Sequence, residues 1–573
     1  MRQLLPNMKK YLHFAILSPL FMILEVIGEI AIPYMMSLIV DVGIVNQDID
    51  YIVRMGMLMI GSALLAMILG VSSSFFGAKA GYGFAAEIRQ KTFEKIQDFS
   101  FSNLDNFTVS SLITRLTNDC NRIGQVTMMS LRMAIRAPFM MLFALIMAYN
   151  INRELARVFL VSLPILAIII TLVLSRARPL FLKLQSMVDS VNAVIKENLS
   201  GIRVVKSFNR QEFEEEKFKK RNDSLMDMAL KAISLIIILM PIFSLVVYAT
   251  IVAVLWIGGG KIIVGDMSGG ALISFITYIT QVLMSLIMIS MYFMNLLRAS
   301  ASVTRIVEVL NTESEIKKAK NPVFQANDGS VSFENVSFKY SRNAENVLNN
   351  INFSIDTGET LGIIGSTGSS KSSLVQLIPR LYDVAEGSVK VGGIDVRNYD
   401  IQALRDQVAF VLQRNLLFAG TLRENMKWGN EDATDEEIIK ALKYAQAWEF
   451  VSKYEDGLDH RVEQGGDNFS GGQKQRLTIG RALMKSPKVI ILDDSTSAVD
   501  TDTDAKIQKA FRNDLADVTT IIIAQRISSI QYAERIIVLH EGEIESMGNH
   551  ESLMETSEVY REIYESQEQG VAG

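Results

Sequence analysis

Six separate apolar stretches in the N-terminal half limit this chain more than any other feature. They run over Phe14–Val40, Met55–Ala78, Met133–Ala148, Val158–Leu174, Ile233–Ile257 and Gly270–Leu297. A spanning helix needs about 20 mainly apolar residues, so each is a candidate span. Met133–Ala148 is short unless it begins earlier. The first stretch is too long for the apolar core of a signal peptide and carries Glu25 and Glu29, so it reads as a retained span. Lysine and arginine set orientation. The connection between the fourth and fifth stretches carries 12 of them, from Arg176 to Lys231, whereas Gly43–Asp50 carries none. The long basic connections and both termini are therefore expected inside the cell. Asn150–Arg157, with two arginines, is a mild exception.

Few proline or glycine residues interrupt Ala85–Arg132 or Leu180–Leu230. The spans are expected to continue into the cytoplasm as rods; the alternative is two soluble subdomains. Glu25 and Glu29 lie one helical turn apart. A charge at bilayer depth costs about 2.5–3.5 kcal/mol on insertion scales, so it faces a cavity or a partner. The pair reads as an acidic patch favouring cationic cargo, or as a hydrated seam without a ligand role. Met284, Met288, Met291 and Met294 recur at helical spacing, fitting an adaptable cavity or ordinary packing.

Residues 311–328 read as a polar linker. From Val331 the pattern becomes short strands alternating with amphipathic helices, an α/β domain. Strands are expected at Val331–Tyr340, Val347–Ile355, Leu361–Ile364, Val408–Leu412 and Val489–Leu492. After Ile364 come Gly365, Ser366, Thr367, Gly368, Ser369, Ser370, Lys371 and Ser372. Small residues let backbone amides cradle phosphate oxygens, lysine neutralises the β- and γ-phosphates, and serine holds magnesium. A helix over Ser373–Leu381 would point its positive end at the anion. The strict pattern has glycine at Ser370; alone, the stretch could be a Gly/Ser-rich turn. Val489–Leu492 ends in Asp493 and Asp494, where a carboxylate could reach magnesium. Phe469, Ser470, Gly471, Gly472 and Gln473 open a helix ending near Lys485, a second anion site. Gln413 follows a strand, and Tyr340 is placed to stack on a base.

In this order, these elements together with Ser497–Asp500 and Gln525 resemble the ATP-binding-cassette (ABC) exporters in half-transporter form, along essentially the whole chain. The resemblance implies a multidomain membrane protein. Six transmembrane α-helices with long cytoplasmic extensions (residues 1–310) are followed, after the linker, by an α/β P-loop ATPase domain (residues 329–573). It implies ATP and magnesium as cofactors. Tyr340 would stack on adenine; Lys371 and the loop through Ser373 would hold the phosphates. Ser372 and Gln413 would ligate magnesium, with Asp493 in support. Ser470, Gly471, Gly472 and Gln473 would face nucleotide held by a partner cassette, and Asp500 the dimer interface. Asn103–Thr114 and Asn209–Lys217 resemble coupling helices.

Three positions depart from the family. Asp494 stands where the family has a glutamate general base, drawing the carboxylate back by roughly 1.5 Å, about one bond. Gln525 stands where the family has histidine and can neither carry charge nor shuttle a proton. Ser370, if its φ is positive, costs about 1–2 kcal/mol. The chain's own pocket is therefore expected to hold ATP and hydrolyse it slowly. Its intact Ser470–Gln473 would serve a second half-transporter that carries the glutamate and histidine. The alternative is a homodimer with two slow sites. The expected function is one subunit of a heterodimeric multidrug exporter in the cell membrane, moving hydrophobic or cationic small molecules. Lipid or peptide export, and a nucleotide-gated regulator that moves nothing, are the rivals. With 57 basic against 62 acidic residues, no nucleic-acid partner is expected. One cysteine excludes an internal disulfide framework and a multi-cysteine metal site, and four scattered histidines are too few for a histidine-built metal centre.

Overall fold

The computed structural model describes residues 3–341, 344–366, 368–495 and 497–571, without the side chains at 174, 178, 236, 297, 298 and 568–571. Two compact units emerge: Met1–Gln97 with Val109–Thr312, and Asp98–Thr108 with Glu313–Gly573.

The first unit is helical. In chain order it holds α1 (Leu12–Leu38) and α2 (Ile49–Gln97); after the short α3 (Phe101–Asp105), which groups with the second unit, come α4 (Val109–Thr114) and α5 (Cys120–Ile151). Then follow α6 (Phe159–Ser200), the short α7 (Ile202–Ser207), α8 (Gln211–Val264) and α9 (Gly269–Asn311). Among the described residues, six helical segments are long and apolar enough to cross a membrane. The 54 residues of α8 make about 81 Å of helix against a hydrocarbon core of about 30 Å. Much of each long helix therefore lies beyond the apolar layer, as rods rather than subdomains. The third span includes α4, a π-helical stretch Arg115–Asp119 and α5, so Met133–Ala148 is only its apolar part.

Small residues let these helices touch. A Cβ on Gly81 would lie 2.6 Å from the Gly124 carbonyl, and one on Gly124 would lie 2.8 Å from Ala85 Cβ. Backbones packed this closely gain dispersion contacts that lipid cannot supply. Ser18 and Ser73 each donate a hydroxyl to the other's carbonyl at 2.9 Å.

In the second unit, β1 (Val331–Phe338), β2 (Leu348–Ile355), β4 (Glu386–Val391) and β5 (Ile394–Asp395) form an antiparallel sheet in the order β2-β1-β4-β5. The central sheet runs β12-β11-β3-β10-β9-β6. Its members are β3 (Thr360–Ile364), β6 (Val408–Val411), β9 (Val489–Asp493), β10 (Thr519–Ile523), β11 (Arg535–His540) and β12 (Glu543–Gly548). All are parallel except β12. Every residue of β9 and β10 is buried, which explains their unbroken apolar runs.

Local differences from the sequence expectations have local causes. The helix after the phosphate loop is Lys371–Gln376, not Ser373–Leu381. Pro379 disfavours helical backbone before it, and Arg380 turns at φ 51°. The second short intracellular helix is Ile202–Ser207, whereas Asn209–Lys217 is a turn at Asn209 (φ 51°) and the start of α8.

Candidate functional site

Parallel strands aim their carboxyl ends at one edge, where loops can converge on a ligand. Here the edge is formed by neighbouring strands. The phosphate loop leaves β3, Gln525 follows β10 by two residues, Asp493 ends β9, and Gln413 follows β6 by two. Residues distant in sequence therefore meet.

Gly365 must be glycine: a Cβ there would sit 2.1 Å from the Leu539 carbonyl. Gly368, at φ 89°, has open space where a Cβ would lie. Ser370 adopts φ 71°, ψ 22°, the left-handed conformation for which serine is poorly suited. Thr367 lies outside the described residues. Lys371 Nζ donates to the carbonyls of Gly365 and Ser366, both at 2.8 Å, and to Ser369 Oγ at 3.2 Å. Burial lowers its pKa, and the nearby Asp493 and Asp494 oppose that. A lysine directed onto the oxygens of its own loop is a cation suited to phosphate oxygens in the same cradle.

Ser372 Oγ donates to Asp493 Oδ1 at 3.0 Å. Burial raises the pKa of Asp493; Ser372 lowers it and the Asp494 charge adds to the rise. A hydroxyl and a carboxylate side by side are hard oxygen donors of the kind magnesium takes. Asp494 has φ 48° and accepts from Gln525 Nε2 at 2.8 Å. Its pKa is also raised by burial, against hydrogen bonds from Gln413 and Gln525 that favour the ion. Gln413 therefore meets Asp494 here. Tyr340 is 43% exposed. Its hydroxyl shares a hydrogen bond with Ser373 Oγ at 2.7 Å, which places an open ring at the loop.

Ser470 and Gln473 form a capping box at the start of the helix Gly471–Leu483. Ser470 is exposed. Gly472 is a close-approach glycine, since a Cβ would lie 2.8 Å from the Ala498 carbonyl. Asp500 caps the helix Thr501–Asp514 through the Thr503 amide at 2.9 Å.

Sequence reasoning passed over three residues. Buried Gln475 accepts from the Ala498 amide at 3.0 Å and donates to Ser497 Oγ at 3.3 Å, tying the Gly471–Leu483 helix to the segment after Asp494. A polar residue two positions beyond Gln473 was the only signal. Tyr382 donates to Asp105 Oδ2 at 2.7 Å, and its ring meets Tyr340 edge-on at 5.2 Å. The adenine-stacking candidate thus touches the side chain that holds α3. The third is Arg136, in the other unit. It bridges Glu25 and, at 2.6 Å, Glu29. The two glutamates do line a cavity, but the free acidic patch expected of them is neutralised.

Residues 15–286 match the family described as the ABC transporter transmembrane region, and residues 348–497 match ABC transporter. The ABC transporter ATP-binding protein YfiB of Bacillus subtilis is 37% identical over 567 residues, 99% of this chain and 98% of the relative. An ATP-dependent lipid A-core flippase of Desulfotalea psychrophila is 30% identical over 535 residues, 93% of each chain. A solved bacterial Atm1-family ABC exporter with ATP bound has a similar fold, with a TM-score of 0.83 at 22% identity over 98% of this chain and 99% of that one. The chain therefore belongs to the ABC transporter family, in the exporter-fold half-transporter form that joins one transmembrane region to one ABC ATPase domain.

Proposed function

We propose that this chain is one subunit of a heterodimeric, ATP-driven exporter whose own pocket binds ATP and hydrolyses it slowly. Tyr340, the loop Gly365–Ser373 and Lys371 hold the nucleotide. Ser372 and Gln413 ligate magnesium, with Asp493 in support. Ser470–Gln473 serve nucleotide on a partner that carries the glutamate and histidine missing here. The observation that carries this reading is the Asp494–Gln525 contact. The general-base position has a short carboxylate, and its neighbour is an amide that cannot exchange a proton at working pH. General-base contributions are typically 10²–10⁴-fold, so losing the base still leaves binding intact. The ATPase domain and termini face the cytoplasm. Multidrug efflux is the first cargo reading. Lipid export is the second, supported by the flippase relative and by arginines within the membrane cavity.

Phosphate release by the purified full chain tests the proposal. The chain alone should be slow, and Asp494→Glu with Gln525→His should raise its rate by about 10²-fold or more. Fast release by the unaltered chain without a second subunit would overturn it.

A further inference from the structure

The segment that carries Gln525 is held less by the sheet than by two helices. The paired register of β10 ends at Ile523, and Ala524 adds one bond, its amide donating to the Ile363 carbonyl at 3.2 Å. Gln525 and Arg526 are exposed, whereas Ala524 and Ile527 on either side are buried. Packing fixes the flanks and leaves the two middle residues to hydrogen bonds. The helix Thr501–Asp514 grips the turn beyond them. Gln508 Nε2 donates to the Ser529 carbonyl and Ser529 Oγ to Asp504 Oδ2, both at 2.7 Å.

The second grip comes from the last helix, Glu558–Val571. Tyr560, Ile563, Tyr564 and Gln567 share one face of it, at i, i+3, i+4 and i+7. Tyr560 is fully buried, its hydroxyl 2.8 Å from His550 Nδ1. Ile563 and Tyr564 pack against the core that contains Ile527 and Ile530. This apolar stripe ends on a polar residue. Gln567 Nε2 donates to the Gln525 carbonyl at 2.7 Å, and its Oε1 accepts from the Ile527 amide at 2.9 Å. A side-chain amide carries both a donor and an acceptor. Here it meets a carbonyl and an amide two residues apart, as one residue of a parallel neighbouring strand would. The main chain on both sides of Arg526 is thus tied to one side chain. Gln525 Nε2 in turn reaches Asp494 Oδ2 at 2.8 Å. Such bonds fade beyond about 3.2 Å, so a slip of roughly half an ångström in the main chain would release Asp494.

We propose that Gln567 is a positioning residue of the nucleotide site. By holding the backbone at Gln525 and Ile527 it sets the Gln525 side chain against Asp494, which makes the last helix part of ATP turnover. The inference rests on reading Asp494 and Gln525 as members of the nucleotide pocket, and adds a residue that lies outside that pocket.

The test is single-turnover hydrolysis of labelled ATP by the purified full chain in excess over nucleotide, which resolves slow rates as well as fast ones. Gln567→Met keeps the length and removes both bonds. It should lower the rate about tenfold, the worth of about one hydrogen bond, while the affinity for a fluorescent ATP analogue stays unchanged. Gln567→Glu keeps the acceptor for Ile527 and loses the donor for Gln525. Its rate should fall between wild type and Gln567→Met, and it serves if the methionine variant fails to fold. Gln525→Ala should cost about as much as Gln567→Met, and combining the two should cost nothing further, because the effect passes through position 525; a merely structural role would add. An unchanged rate in the Gln567 variants or in Gln525→Ala, or a full further loss in the double variant, would overturn the proposal. The absolute rate of the unaltered chain tests the slow pocket separately: fast hydrolysis that still drops about tenfold in Gln567→Met would refute the slow pocket and keep the clamp.

Discussion

Replacing Arg136 tests whether the membrane charges form a closed set. In Arg136→Leu, two carboxylates one helical turn apart lose their shared cation. Breaking a fully buried pair by removing one partner costs about 3–5 kcal/mol. The side chains here are 25% exposed for Arg136, 16% for Glu25 and 36% for Glu29. That access to the cavity reduces the expected cost to roughly 2–3 kcal/mol. The triple variant Glu25→Leu, Glu29→Leu, Arg136→Leu removes the whole ion-paired trio and keeps Arg132, and apolar replacement of a buried ion-paired set is near neutral or stabilising. Thermal unfolding of the purified chain should show the single variant melting roughly 3–6 °C lower, a modest shift because long chains move less per kcal/mol. The triple variant should recover to the wild-type midpoint. A single variant that melts with wild type, or a triple that falls as far as the single, would show that the two carboxylates do not depend on Arg136.

Three further outcomes are expected. Ser370→Gly should stabilise the chain by about 1 kcal/mol by relieving the left-handed backbone, read as a raised melting temperature. Tyr382→Phe, which removes the hydrogen bond to Asp105, should cost about 1–2 kcal/mol, and proteolysis near α3 should quicken. Burial lifts Asp493 and Asp494 above the ordinary carboxylate value of 3.8. Just above that value the folded chain therefore binds more protons than the unfolded one, so stability falls as pH rises through the window. Asp493→Asn with Asp494→Asn should flatten that slope in a pH series of melting curves.

What sequence made legible were features written in neighbouring residues. Apolar length marked the six spans, and the Gly365–Ser372 spacing marked a tight loop between a buried strand and a short helix. The buried strand before Asp493 was clear because a doubly covered parallel strand has no polar face. Positive φ at Ser370 was foreseeable because the position calls for glycine. Contacts between distant residues were not legible. Arg136 lies 111 residues from Glu25, and no local pattern says which helix will face which. Gln475 looks like any helical polar residue until Ala498 folds against it. The place of α7 depended on the turn at Asn209, which an uninterrupted helical pattern conceals.

A slow pocket on this chain and a fast one on its partner would hold different nucleotides during turnover. The transporting complex is incubated with magnesium and a labelled photo-reactive ATP, cross-linked near Tyr340, and the bound species is identified. Intact triphosphate is expected on this chain, with diphosphate accumulating on the partner. Diphosphate retained on this chain at the partner's rate would mean that both pockets hydrolyse alike.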